Sequence, residues 1–127
     1  MSLINTWFFT KTIINWDAIA QATHNQYRVV SCRPYVDKKQ ILPEGITLTL
    51  QVLYDDFDYG NDKQGVPREN NIFQTFDVTV LNKNHNIKKG DYISLIGFDA
   101  EHSFAIGFDM LLRFKDLKVL QPSKSNA

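Results

Sequence analysis

Hydrophobic and polar residues recur along this chain with two different periods, and the change falls near residue 26. Ahead of it, Trp16, Ile19 and Ala20 stand three to four residues apart, the spacing that gathers side chains on one helix face. Asn15 precedes them as a predicted N-cap, its side chain placed to accept a free amide of the first turn. Ile14 and Ile19 bracket that cap at staple spacing, and Asp17 falls where the helix dipole favours an anion. This short helix is expected to end near His24-Asn25.

Beyond residue 26 the period becomes two, the signature of half-buried strands. Tyr27–Val36 reads as a strand bent at Pro34, followed by the hairpin loop Asp37-Lys38-Lys39-Gln40. Ile46–Tyr54 is the cleanest strand, with Ile46, Leu48, Leu50 and Val52 alternating against Thr47, Thr49 and Gln51. Residues 55–70 form a long polar loop with Gly60, Gly65 and Pro67 and no apolar period; loops of that length are usually functional or mobile. Ile72–Leu81 resumes the alternation, with Phe76, Val78 and Val80 on one side and Phe73, Thr75, Asp77 and Thr79 on the other. Asn82–Asn86 is a turn, Tyr92–Gly97 a short strand, Phe98–Met110 a connection of undetermined type and Leu111–Leu120 the last strand. The tail, residues 122–127, reads as disordered. Five short strands leave two sheet edges, which closure removes. The expected fold is therefore mainly β: a small five-stranded OB-like barrel with a short N-terminal helix. An open α+β sheet covered by that helix is the alternative.

The chain has 127 residues, which fits one domain; residues 1–121 are assigned to it, with 1–26 as a helical extension. Fourteen basic and fourteen acidic side chains cancel, which argues against a protein that coats nucleic acid by charge alone. The distribution is uneven. Arg28, Arg33, Lys38 and Lys39 cluster around the first strand, whereas Asp55, Asp56, Asp58 and Asp62 crowd the long loop. Cys32 is the single cysteine, so no intrachain disulfide forms, which suits a reducing compartment; mid-strand, it reads as a small core hydrophobe. Met1 to Thr10 lacks the build of a signal peptide, and no apolar run reaches the ~20 residues of a membrane span. A cytoplasmic location without membrane attachment is expected.

The run NIFQTFDVTVLNKNHNIKKGDYISLIGFD, residues 71–99, resembles the core of single-stranded-DNA-binding OB domains: an alternating strand, then Lys89-Gly90, then a strand ending on glycine. LLRFKDLKVLQ, residues 111–121, resembles their last strand. The helix usual between the third and fourth strands is missing, since Asn82–Ile87 is too short. Over residues 46–120 the pattern is also similar to small OB-like accessory proteins of Gram-positive conjugative elements, encoded near the relaxase. Their closing strand is echoed by Phe114-Lys115-Asp116-Leu117-Lys118-Val119-Leu120. That resemblance implies a helicase-processivity or DNA-processing role beside a replication or transfer protein.

Candidate chemistry centres on an aromatic–basic face. With Leu48, Leu50, Phe76 and Val78 inward, Arg33, Tyr35, Thr49, Gln51, Phe73 and Thr75 point outward. Bases can stack on Tyr35 and Phe73 while Arg33, Lys38 and Lys39 meet phosphates, each stacked base contributing ~1–3 kcal/mol. The competing reading makes Tyr35 and Phe73 ordinary core at the barrel ends. In the long loop, Tyr54, Phe57 and Tyr59 alternate with acids, and Tyr59, Lys63 and Arg68 are the predicted loop contributors; the aspartates repel phosphate and suit a basic partner instead. Phe98, His102, Phe104 and Phe108 either grip ligand or plug the barrel bottom, and plugging is favoured.

No metal or cofactor is expected: the acids of the loop miss the EF-hand spacing, and His24, His85 and His102 form no zinc pattern. No catalytic constellation surrounds Cys32 and no glycine-rich phosphate loop occurs, so the chain is not expected to be an enzyme. The leading expectation is a nonenzymatic binder of single-stranded DNA or RNA that assists replication or conjugative transfer. The alternative is a protein-interaction module using the acidic loop or the patch Trp7-Phe8-Phe9, the latter also a route to a homo-oligomer.

Overall fold

The computed structural model describes residues 3–5, 13–39, 41–106 and 109–121. Helix α1 spans Trp16–Thr23, and the Asn15 side chain accepts the Ala18 amide at 3.2 Å, as its position predicts. His24 ends the helix in a left-handed conformation, with cap amides returning to the Ala20 and Gln21 carbonyls. Strands follow as β1 (Tyr27–Tyr35), β2 (Gly45–Val52), β3 (Thr75–Val80), β4 (Tyr92–Phe98), β5 (Phe104–Ile106) and β6 (Asp109–Gln121).

The protein is thus mainly β, with six strands among the described residues where the sequence reading expected five. The difference lies in the 98–110 connection. It holds a one-turn 3₁₀ segment, Ala100–His102, and the short β5, which pairs back onto β6 through Phe104↔Leu111 and Ala105↔Met110. Strand bounds shift too. The stretch 72–74 is a turn ahead of β3, and β6 begins at Asp109, not Leu111.

The sheet runs β3-β2-β1-β4-β6-β5, with one further pairing of β3 to β6. That pairing is parallel, Val78↔Leu112 to Val80↔Phe114, while the others are antiparallel. It joins β1, β2, β3, β6 and β4 in a ring, leaving β5 attached to β6 outside it. Side chains alternate across the strand plane, and the inward set is apolar: Tyr27, Val29, Leu48, Leu50, Val78, Val80, Ile93, Leu95, Leu112 and Phe114 are buried. Gly45 permits the closest backbone approach, since a Cβ there would collide with the Val80 carbonyl.

Cys32 is exposed, a correction to the core position expected for it. A bulge follows Val29. Past it β1 is paired with β2 alone, because its pairing with β4 covers only Tyr27 and Arg28.

One end of the ring is covered by α1. Trp16 meets Phe114 edge-on at 4.7 Å and stacks on Phe98 at 6.0 Å. Phe98 therefore helps plug that end, as expected; Phe104 is exposed, and Phe108 lies outside the described residues, as do Trp7, Phe8 and Phe9. Beneath Trp16, the buried Tyr27 hydroxyl bonds Thr23 Oγ1 at 2.6 Å. Burial, tempered by that bond, pushes Tyr27 up to about 12. The Asn25 side chain donates to the Leu95 carbonyl and accepts its amide, at 2.9 and 3.1 Å, docking the helix exit on β4. Among the described residues no helix is long and apolar enough to cross a membrane.

Trp16→Ala removes this plug and is expected to cost ~3–5 kcal/mol, whereas Asn15→Ala, which removes only the cap, is expected to cost ~1 kcal/mol. Urea unfolding of the two variants checks the ranking, and equal losses would contradict the plug.

Candidate nucleic-acid interface

The outer face inherits its chemistry from the same alternation. In register across four strands lie Arg33 on β1, Thr47 on β2, Thr79 on β3 and Arg113 on β6. A second polar row is Ser31, Thr49 and Asp77, in which Thr49 Oγ1 donates to Asp77 at 2.6 Å. Gln51 and Thr75 form the next pair. The face is polar and small-residued, flanked by rings and cations at its ends.

The sequence-predicted residues separate into two clusters. Arg33 and Tyr35 lie at the end of β1, and Lys38 and Lys39 are exposed on the loop that follows. That loop is held by one side chain: the Asp37 carboxylate accepts the Ile41 and Leu42 amides at 3.1 and 3.0 Å and the Lys39 amide at 3.4 Å. The Leu42 amide foremost, then those of Lys39 and Ile41 and the nearby charge of Arg113, hold its carboxyl below the ordinary aspartate range.

Phe73, Tyr59, Lys63 and Arg68 belong to the opposite end, on the connection between β2 and β3. Seven residue steps along β2 separate the ends, about 23 Å at strand rise. Phe73 is not core. It is 69% exposed and adopts φ 67°, a left-handed conformation that is a genuine outlier for a bulky side chain. Backbone bonds hold it there: its amide donates to the Val52 carbonyl at 2.8 Å, and the Val52 amide donates to the Gln74 carbonyl at 2.9 Å.

The 55–70 loop is more ordered than its composition suggests, because its aspartates bond to its own amides. Asp58 accepts from Gly60, and Asp62 from Gln64 and Val66. Asp56 pairs with His24. Asp55 is buried and accepts the Phe57 and Asn71 amides and the Tyr59 hydroxyl, at 3.1, 2.7 and 2.7 Å. Two predicted contributors are committed within the loop. Tyr59 is half-buried against Phe57 with its hydroxyl on Asp55, and Arg68 Nη1 donates to the Tyr59 carbonyl at 2.8 Å. Lys63 is exposed at the loop tip.

Sequence reasoning missed Arg113, although alternation within LLRFKDLKVL places it opposite the buried Leu112 and Phe114. Its Nη1 donates to the His102 carbonyl at 2.6 Å and its Nη2 to the Tyr35 hydroxyl at 3.4 Å, and its guanidinium lies 6.0 Å from the Tyr35 ring centre. It thereby links the end of β1 to the connection that leaves β4.

Two further features are a carboxylate–imidazole cluster, on the turn that Arg113 bonds, and a cavity. Asp99, Glu101 and His102 bring ligand atoms within 4.8 Å of one another, an arrangement explained by Asp99 capping the 3₁₀ turn and bonding His102 Nδ1 at 2.7 Å. An apolar cavity of about 550 Å³ opens between α1 and the long loop, walled by Ile13, Trp16, Tyr27, Phe57, Phe76 and Met110. No protein-family model, curated protein or solved structure matches the chain.

Burial opposes ionisation of Asp55, but the Asn71 amide, the Tyr59 hydroxyl and the Phe57 amide outweigh it and hold its pKa below the ordinary value. A lowered carboxyl stabilises above the unfolded pKa of ~3.9 and loses that contribution as pH falls through the folded value. Amide exchange at Phe57 and Asn71 is therefore expected to stay slow at neutral pH and to accelerate below about pH 4 beyond the intrinsic rate. Asp55→Asn should show fast exchange already at pH 7; protection retained in this variant would contradict the assignment.

Proposed function

We propose that the five-strand ring is an OB-like barrel and that its outer face binds single-stranded nucleic acid without catalysis. The ring supports the fold reading through its connectivity. Read across the sheet, the first four strands stand in the order β4-β1-β2-β3, the spatial order of a Greek key. OB barrels are partly open five-stranded Greek-key barrels that use the face of strands two and three and the two flanking loops. The corresponding loops here are 36–44, carrying Lys38 and Lys39, and the connection from β4 to β6.

The observation that carries the function is Phe73. An exposed aromatic ring held in a conformation that costs ~1–2 kcal/mol contributes little to the core and is displayed beside a polar face. Strained backbone of this kind concentrates at ligand clamps, and a base can stack on either side of a ring with little regard to sequence. Arg33, Lys38 and Lys39 supply phosphate contacts at the far end, and Tyr35 a second ring. A replication or transfer protein as its partner is what the resemblance to accessory proteins of conjugative elements implies.

A second reading, a protein-interaction module, is favoured by the apolar cavity beside α1, whose rim includes the exposed Ile13 and Phe57.

Fluorescence anisotropy with a labelled oligothymidylate tests the first reading. Affinity should fall linearly with log salt, and replacing Arg33, Lys38 and Lys39 together by alanine should flatten the slope by about 2. Phe73→Gly should weaken binding by ~1–3 kcal/mol. The same variant should keep or raise stability, because relief of ~1–2 kcal/mol of strain exceeds or matches the ~0.5–1 kcal/mol entropic cost of glycine. No binding at low salt would overturn this reading and favour a protein partner.

A further inference from the structure

Arg113 departs from the pattern of a surface cation. It is half-buried, its Nη1 is fixed on the His102 carbonyl, and its Nε is buried with no acceptor among the described residues. A residue placed to capture phosphate would offer the Nε–Nη2 edge of its guanidinium to solvent, because that edge forms the bidentate fork. Here the edge is turned inward, toward Tyr35. Two separate segments converge on this one side chain. The Tyr35 ring and hydroxyl come from the end of β1. The His102 carbonyl comes from the 3₁₀ turn after β4. Ser103 Oγ reinforces the contact from the same side, accepting the Arg113 amide at 2.8 Å.

We propose that Arg113 is a positioning residue, a clasp that joins the end of β1, at Tyr35, to the turn after β4 and orients the Tyr35 ring for stacking without itself touching the strand. This rests on the nucleic-acid reading above for its ligand, and on the hydrogen bonds alone for the clasp. Lysine cannot substitute. It carries the charge but lacks the planar fork that bonds a carbonyl on one side while covering a ring on the other. The buried Nε without an acceptor fits such a role, since the guanidinium sits where the loops require it and not where its own hydrogen bonding is complete.

The test compares the wild type with Arg113→Lys, Tyr35→Leu and the double variant, by oligothymidylate anisotropy across salt and by amide hydrogen exchange without nucleic acid. Arg113→Lys is expected to weaken binding about tenfold with an unchanged salt slope, and to add little in the Tyr35→Leu background, because one residue acts through the other. Exchange at Asp99 and His102, whose amides bond the Arg113 and Asp99 carbonyls in the turn that the clasp holds, should accelerate in Arg113→Lys. A slope that falls by about 0.7 in a variant whose charge is instead removed, Arg113→Gln, but not in Arg113→Lys would mark a direct phosphate contact and overturn positioning, as would additive losses in the double variant. If the wild type binds no oligothymidylate, the nucleic-acid reading fails; exchange at Asp99 and His102 then still decides the clasp, and exchange unchanged by Arg113→Lys overturns it.

Discussion

A sheet that closes on itself loses its edges but keeps two open ends, and an apolar interior must be shielded from water at both. In this chain Trp16 supplies the shield at one end. It lies across Phe98 and Phe114, which sit where β4 finishes and where β6 joins β3. Several local features hold Trp16 in place. Asn15 caps the helix that carries it, Thr23 closes the hydroxyl of Tyr27 beneath it, and Asn25 bonds both backbone groups of Leu95. The connection from β3 to β4 is bonded to the ring at both its ends: Leu81 donates to the Phe114 carbonyl, and Gly90 and Asp91 exchange bonds with Val29. A helix placed before the first strand therefore covers the Trp16 end, and the 81–91 connection holds no helix.

Closure also settles the electrostatics of the outer face. A formally neutral chain would be a poor partner for phosphate if its charges were evenly mixed, but the fold separates them. The acidic 55–70 loop lies at the Phe73 end and the Arg33–Lys39 cluster about 23 Å away along β2. Exposed charges are screened beyond a Debye length of ~10 Å at 0.1 M salt, so the acids scarcely reach the basic end. At their own end most of them are tied to loop amides, which fixes the loop beside the uncharged ring of Phe73.

Much of the fold was legible because it depends on local pattern. Period-two alternation located the five ring strands, and the Asn15 cap and the face of Trp16, Ile19 and Ala20 located the helix. Strand β5 was not legible: three residues carry too little periodicity, and β5 exists because β6 extends beyond the ring far enough to pair with it. Cys32 reads as core by alternation, yet a bulge and the early departure of β4 leave it exposed. The acids of the long loop read as charge, whereas most of them act as hydrogen-bond acceptors for amides two to sixteen residues away. Of the candidate face, Arg33 and Tyr35 were legible from alternation. Arg113 was not, because its importance comes from its contact with Tyr35, 78 positions earlier in the chain.

Phe73 shows how such a face is sustained. A left-handed bulky residue draws on a stability margin of only ~5–15 kcal/mol, so its neighbours must hold the conformation. Val52 bonds the turn through both its backbone groups, Gln74 donates to Asn71, and the Gln51 side chain donates to the Phe73 carbonyl at 3.4 Å. These contacts fix the backbone and leave the ring uncovered. A turn selected for stability alone would place glycine or asparagine at this position. Phenylalanine there costs stability and gives a rigid exposed ring, which is what the proposed stacking on a base requires.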